Sequence, residues 1–310
     1  MTIVVAGSTG LVGSALMKHF EKIGLQTIGM SRSNVDLFDK NSTIEFIANL
    51  QPTAVIDAAG KVGGIGANEQ QPVEFLSENL LIQGNLMQAA HQAKVPRFVF
   101  LGSSCIYPRD AKQPIKEEYL NTGPLEKTNS AYAIAKIAGI ELVNSYRKEF
   151  GHKWISLMPT NLYGPRDNFE LESSHVLPAL IRKFTEARLN QNPSVTLWGT
   201  GSPRREFLHV DDLAVAIEIS LKNYDSEMHL NVGTGEDVTI KELASLISDL
   251  TGFEGEILWD ASKADGTPRK VLDVQRIKKL GWTPKISLRD GIESTIAWYI
   301  KNLDTGSIRR

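Results

Sequence analysis

Through the first half of the chain, short β-branched apolar runs alternate with longer amphipathic stretches, and beyond Pro159 that rhythm changes. Thr2-Ile3-Val4-Val5-Ala6 shows no polar alternation and stops at Gly7, the pattern of a parallel strand buried on both faces. Leu11, Ala15, Leu16 and Phe20 then recur at helical spacing and predict a helix over about 10–22. The same reading predicts strands at 27–30, 54–57, 98–101 and 154–158, separated by helices over roughly 41–50, 73–93 and 130–150. Strand–helix alternation at this spacing implies an α/β fold, a doubly wound parallel sheet with right-handed crossovers and helices on both faces.

The second half predicts helices over about 175–190, 211–222, 239–252 and 288–302, joined by short strands and turns such as Gly199-Thr200-Gly201-Ser202-Pro203. These suit a smaller C-terminal α/β lobe lying across the strand ends, where open sheets bind ligands. The runs 195–198 and 207–210 read as returning towards the sheet. The expected organisation is a Rossmann-type dinucleotide domain over 1–165, with returning segments near 193–222, and a mainly substrate-binding lobe over 166–310.

Composition narrows the class without naming a chemistry. The chain has 310 residues, 42% hydrophobic and 23% charged, with a net charge of -2. That is an ordinary soluble composition, with no basic patch for nucleic acid and no apolar run or polybasic stretch for a membrane. The opening MTIVVAGSTG has neither a basic start nor a long apolar core, so no signal peptide is expected. Cys105 is the only cysteine and cannot form an internal disulfide, which fits a cytoplasmic location.

Gly7-Ser8-Thr9-Gly10-Leu11-Val12-Gly13 follows the first predicted strand directly, as Gly-x-x-Gly-x-x-Gly. At such a junction the first glycine permits the tight turn, the second lets backbone approach a pyrophosphate, and the third lets the helix pack close to the strand. The helix N-terminus then meets the phosphates with N–H groups and its dipole. All seven residues are therefore candidates for holding a dinucleotide. An acidic residue after the second strand would hold the ribose 2′-hydroxyl of NAD, and an arginine the 2′-phosphate of NADP. The chain reads Met30-Ser31-Arg32-Ser33 with no carboxylate before Asp36, so Arg32 points to NADP.

Tyr132-Ala133-Ile134-Ala135-Lys136 sets a tyrosine and a lysine on one face of a predicted helix. A nearby ammonium is expected to favour the phenolate of a tyrosine that ordinarily titrates near ~10, making it a stronger acid. Lys136 can also bond the nicotinamide ribose, and Ser103, at the end of the fourth strand, can orient a substrate carbonyl. Cys105 stands two residues further on. By position alone a single cysteine after an apolar strand is more often an inert core residue. His175, before Val176-Leu177-Pro178, serves equally well as a helix cap. His19, His91, His152, His209 and His229 lack supporting neighbours, and no cluster has metal-ligand spacing, so no metal site is expected.

With its glycine-rich opening, strand-end Ser103 and Tyr132-x-x-x-Lys136, the chain resembles the extended short-chain dehydrogenase/reductases. Narrower strings are KVGGI at 61–65, LGSSCIYP at 101–108, YAIAKIAG at 132–139, PTNLYGP at 159–165, REFLHVDD at 205–212 and DGTPRK at 265–270. Together they are similar to the branch of 3,5-epimerase/4-reductases that turn GDP-4-keto-6-deoxy-D-mannose into GDP-L-fucose. The likeness runs from Thr2 to about Asn302.

The resemblance implies a catalytic set of Ser103, Cys105, Tyr132, Lys136 and His175. It implies NADPH held by the 7–13 turn, Arg32, Leu101, Gly102, Ser103, Ser104, Lys136, Pro159, Thr160, Asn161, Leu162 and His175. It implies a GDP-sugar held by Ser103, Asn161, Lys183, Trp198, Arg205 and Asp265. Cys105 and His175 become an acid/base pair exchanging protons at C3 and C5, both acidified by the C4 ketone, before hydride reaches C4. Two departures stand out. Some members have arginine where this chain has Lys183, losing the planar fork, and some bacterial members have arginine where it has Thr9. That leaves Arg32 as the main support for NADP.

A homodimer is expected by analogy, with the helices over 73–93 and 130–150 as the seam. The nearest alternative is an epimerase or reductase of another GDP-4-keto sugar, such as a GDP-keto-heptose. A binding protein that only reports NADP state is a further reading, and the intact Tyr132/Lys136 pair argues against it.

Overall fold

The computed structural model describes residues 2–263, 265–306 and 308. β1 (Thr2–Ala6) is buried from Ile3 onward, as its unbroken apolar run requires. α1 (Leu11–Lys22) follows the extended Gly10, and β2 (Gln26–Met30) leads to α2 (Lys40–Leu50). Asp39 caps α2 by accepting the N–H groups of Asn41 and Ser42. After β3 (Ala54–Asp57) come α3 (Ile65–Gln70) and α4 (Pro72–Gln92), whose first-turn proline sacrifices no hydrogen bond. β4 (Arg97–Leu101) precedes α5 (Ser130–Phe150), which ends at Gly151 with φ 71°. In β5 (Ile155–Pro159) the strand starts one residue after Trp154, which is buried against Phe98.

The second half contains β6 (Asn161–Tyr163), α6 (Val176–Leu189), β7 (Ser194–Trp198), β8 (Arg204–Arg205), β9 (Phe207–His209) and α7 (Val210–Asn223). It continues with β10 (Leu230–Val232), β11 (Val238–Thr239), α8 (Ile240–Thr251), β12 (Glu256–Asp260), β13 (Arg269–Lys270), α9 (Gln275–Lys279) and α10 (Leu288–Lys301).

The main sheet is parallel, in the order β10-β5-β4-β3-β1-β2. This is the doubly wound α/β fold expected from the alternation. The sixth strand escaped the hydrophobic pattern, because Leu230-Asn231-Val232 is too short to show a period. The 195–198 run does not return to this sheet. β7 instead pairs with β12 in a separate two-stranded ladder, because Thr196 and Trp198 are exposed, and a strand with one wet face does not suit a sheet covered on both sides. β9 pairs with β6 just beyond the end of β5. α7 and β10 carry the chain back, with Leu213, Ile217 and Leu230 in the core of the main sheet. A second core gathers Phe169, Ile181, Phe184, Ile247, Ile292 and Tyr299 from α6, α8, α10 and a preceding loop. The loop after β3 meets the one that leads into this second core, through Gly64 N–H and Ser173 O. Among the described residues no helix is long and apolar enough to cross a membrane.

Candidate functional site

The glycine-rich turn is shaped for something large and negative. Gly7 has φ 75°, and the N–H groups of Gly7 and Ser8 both donate to Met30 O at 3.0 Å. A Cβ on Gly13 would lie 2.1 Å from Gly7 O, so only glycine lets α1 pack onto the turn. A Cβ on Gly10 would meet only Gly7 O, at 3.4 Å, which leaves its outer side open. Gly10 offers no side chain to cap α1, so the first N–H groups, along Leu11 and Val12, are suited to an anion. Thr9 is exposed at the tip.

Arg32 lies in the exposed loop after β2. Asn34 braces that loop, donating to Gly29 O and accepting from Ser31 N–H, each at 2.8 Å. Among the described residues Arg32 has no ion-pair partner, and it lines an open hollow of about 450 Å³ with Ser33, Asn34 and Asp36. The residues therefore fit a dinucleotide bearing an extra phosphate.

Tyr132 and Lys136 are both buried on α5, at 7% and 4% exposure. Lys136 Nζ donates to Leu101 O at 3.0 Å and sits 5.0 Å from the centre of the Phe100 ring. Ser103 caps the short turn at Ser104–Ile106, its Oγ accepting the Cys105 N–H at 3.3 Å. Burial pushes the Tyr132 hydroxyl well above its ordinary range, with Cys105 and Asp57 adding to the rise and a bond with Ser103 opposing it. The expectation of a tyrosine made more acidic by its lysine is thus outweighed by burial. Tyr132 stays a protonated donor. Lys136 is pushed down by burial and held up by Asp57.

Cys105 is half-buried, with one flank against Ala67, Phe75 and Tyr132. On its other side Asn129 Nδ2 donates to Sγ at 3.3 Å and Lys270 Nζ at 3.6 Å. His175 caps α6 by backbone position alone, its side chain making no cap bond. Its imidazole is pushed down by burial and then by the Lys270 charge. One ammonium thus acts on both the thiol and the imidazole. The loop holding His175 rests on the KVGGI string: Gly64 N–H donates to Ser173 O at 2.8 Å, and a Cβ on Gly64 would lie 2.4 Å from Ser174 O. Asn68 secures the glycine pair by donating to Gly63 O at 2.9 Å and Gly64 O at 3.0 Å.

The remaining predicted residues divide into three places. Leu101, Gly102 and Ser104 leave β4, and a Cβ on Gly102 would strike the Met158 sulfur at 2.4 Å. Pro159, Thr160, Asn161 and Leu162 leave β5, where Thr160 Oγ1 and Asn161 Nδ2 both donate to Glu206 O, at 3.3 and 2.8 Å. Lys183, Trp198 and Asp265 gather around β7. Lys183 Nζ donates to Thr196 O at 3.1 Å, Trp198 is 63% exposed, and Asp265 accepts Thr200 N–H at 2.7 Å. Arg205 links the groups, since the charges of Cys105, Asp265 and Glu126 all hold its guanidinium up against burial.

Three residues near the chemistry were missed from sequence: Asn129, Lys270 and Asp57. Lys270 closes the matched DGTPRK string, yet nothing in a string says which side chain reaches a thiol 165 residues away. Asp57 lay inside a predicted strand and read as a strand terminus. Among the described residues no group of three or more His, Cys, Asp or Glu side chains could hold a metal ion.

Residues 3–233 match the NAD dependent epimerase/dehydratase family. GDP-L-fucose synthase 1 of Arabidopsis thaliana is 51% identical over 302 residues, spanning 97% of this chain and 94% of that protein. A GDP-L-fucose synthetase from Naegleria fowleri bound to NADP superposes with a TM-score of 0.92 at 29% identity, over 100% of this chain and 96% of that one. A GDP-6-OMe-4-keto-L-xylo-heptose reductase from C. jejuni gives 0.93 at 35% identity, over 97% and 98%.

Proposed function

The chain belongs to the NAD dependent epimerase/dehydratase family, and from that premise we propose that it epimerises GDP-4-keto-6-deoxy-D-mannose at C3 and C5 and then reduces C4 to give GDP-L-fucose. The observation that carries this reading is Cys105, placed beside the Ser103/Tyr132/Lys136 set and under the same ammonium as His175.

The ketone at C4 acidifies the protons on both neighbouring carbons. Cys105 and His175 exchange them, one group removing a proton from one face and the other returning one from the opposite face. Lys270 Nζ, donating to the Cys105 sulfur at 3.6 Å, holds the thiol in place for that exchange. Tyr132 and Ser103 donate to the C4 oxygen and stabilise the enediolate between the two steps. The 7–13 turn, Arg32 and Lys136 would hold NADPH, which would supply the hydride for C4. Tyr132, kept protonated by burial, then gives its proton to the oxygen, and the nearby Lys136 head stabilises the charge left on the phenol. Arg205 takes the diphosphate as a planar fork. Lys183, Trp198 and Asp265 hold the far end of the nucleotide.

The reading brings two further expectations. A homodimer would cover Val73, Leu80, Leu81 and Ile134, which stand exposed on α4 and α5. A cytoplasmic location suits a chain with one free thiol.

Purified protein given GDP-4-keto-6-deoxy-D-mannose and NADPH tests the assignment, with the product read by NMR. NADPH oxidation with a product inverted at C3 and C5 is expected, and no oxidation would reject it. The similarity to the C. jejuni heptose reductase favours a second reading, reduction of a GDP-4-keto-heptose. Faster turnover of that substrate in the same assay would select it.

A further inference from the structure

Asp57 ends β3, in register with Ala6 of β1 and Phe100 of β4, the strands that lead into the glycine-rich turn and the Ser103 turn. It is 1% exposed. Its Oδ1 accepts the Ala59 N–H at 3.2 Å, while Oδ2 is buried without a hydrogen-bond partner among the described residues. A carboxylate so placed is costly unless a cation compensates it.

The head of Lys136 occupies the same strand ends. It donates to Leu101 O at 3.0 Å and lies 5.0 Å from the ring centre of Phe100, the register partner of Asp57. A Cβ on Gly60 would come within 3.7 Å of its Nζ. The two charges act on each other without direct contact. Lys136 is the charged group that pulls Asp57 down against burial, and Asp57 is what holds Lys136 up against burial. Tyr132, on the same helix, also feels the Asp57 charge, and Cys105 acts on Tyr132 from the turn after β4.

We propose that Asp57 is the counter-ion that keeps Lys136 an ammonium, and so a positioning residue for proton donation by Tyr132. This rests on the assignment of Tyr132 and Lys136 to the reduction. As Tyr132 gives up its proton, negative charge grows on its oxygen, and an ammonium nearby stabilises it. A neutral lysine would not. With Asp57 neutralised, Lys136 loses its proton at lower pH, and reduction fails at lower pH with it.

The test compares wild type, Asp57→Asn and Asp57→Leu in two readouts. One is the pH profile of NADPH oxidation; the other is solvent deuterium entry at C3 and C5 without NADPH, which reports a folded site. Asn keeps a group able to accept the Ala59 N–H, and Leu replaces the buried charge by apolar bulk, so at least one variant is suited to folding. Both should still exchange deuterium, with the alkaline limb of reduction moved down by about 1–3 pH units. Asp57→Glu should keep the limb in place. An unmoved limb in a variant that exchanges deuterium overturns the proposal. So does a shift with Leu but not Asn, which would assign Asp57 to the turn at Ala59. Wild type that exchanges deuterium but never oxidises NADPH would instead overturn the underlying assignment of Tyr132 and Lys136.

Discussion

Ser103, Tyr132 and Lys136 come from one strand end and one helix, whereas Cys105, Asn129, His175 and Lys270 come from the β4 turn, the start of α5, the cap of α6 and β13. Tyr132 and Lys136 of the first group are buried within the main sheet's own lobe, and their protonation is governed by burial. The second group closes only where the loop before α6 and β13 meet the β4 turn, and its sulfur is contacted by a cation from the far part of the chain. A helix fixes two side chains four residues apart at almost no cost in assembly. A thiol, an imidazole and an ammonium brought from distant segments depend on how the two cores dock. At saturating substrate, reduction should therefore be robust to changes in the second core, and proton exchange sensitive to them.

The sharpest way to break this contrast is Tyr132→Phe. It should lower NADPH oxidation by about 10²–10⁴-fold while deuterium still enters C3 and C5 at a reduced rate. Equal loss of both activities would erase the division. Lys270→Met comes next, with exchange slowed about 10-fold or more because the Cys105 sulfur loses its 3.6 Å contact. NADPH oxidation in the same variant should change much less, and an unchanged exchange rate would remove Lys270 from the exchange half.

Arg32→Ala should raise the KM for NADPH about 10-fold, the worth of one charge-assisted contact, and leave the KM for NADH alone. Equal effects on both cofactors would mean that Arg32 does not meet a 2′-phosphate.

The smallest effect on activity belongs to the scaffold. His229 is buried, bonded to the Tyr107 hydroxyl at 2.9 Å, and pushed by burial down to about 4. Below its ordinary value of 6.5 the unfolded chain takes up the proton first, so stability should fall between there and about 4. His229→Gln should flatten that acid slope in urea titrations without altering turnover at neutral pH. A slope that persists would place the acid sensitivity elsewhere.

The same contrast explains what the sequence revealed. The glycine-rich turn, Ser103 and the Tyr132/Lys136 pair are governed by local spacing, and each sits where strand and helix periods put it. The α7 return was also visible as a helix, although β10 beside it was too short to see. β7 was misplaced because its apolar content was read without its exposed alternate face. Lys270, Asn129 and the support of His175 by Gly63 and Gly64 follow from docking across the site, which no periodicity encodes. Asp57 was hidden for another reason. A carboxylate at a strand end looks like a terminus until burial and a missing partner for Oδ2 mark it as costly.

The central claim is that Cys105 serves exchange and not hydride transfer. The most direct test is Cys105→Ser with GDP-4-keto-6-deoxy-D-mannose and NADPH in D₂O, the product read by NMR beside that of wild type. Wild type should give a product deuterated at C3 and C5. Cys105→Ser should still consume NADPH and give a reduced sugar lacking deuterium at one or both carbons. Full deuteration at the wild-type rate, or NADPH consumption lost in step with exchange, would contradict the account.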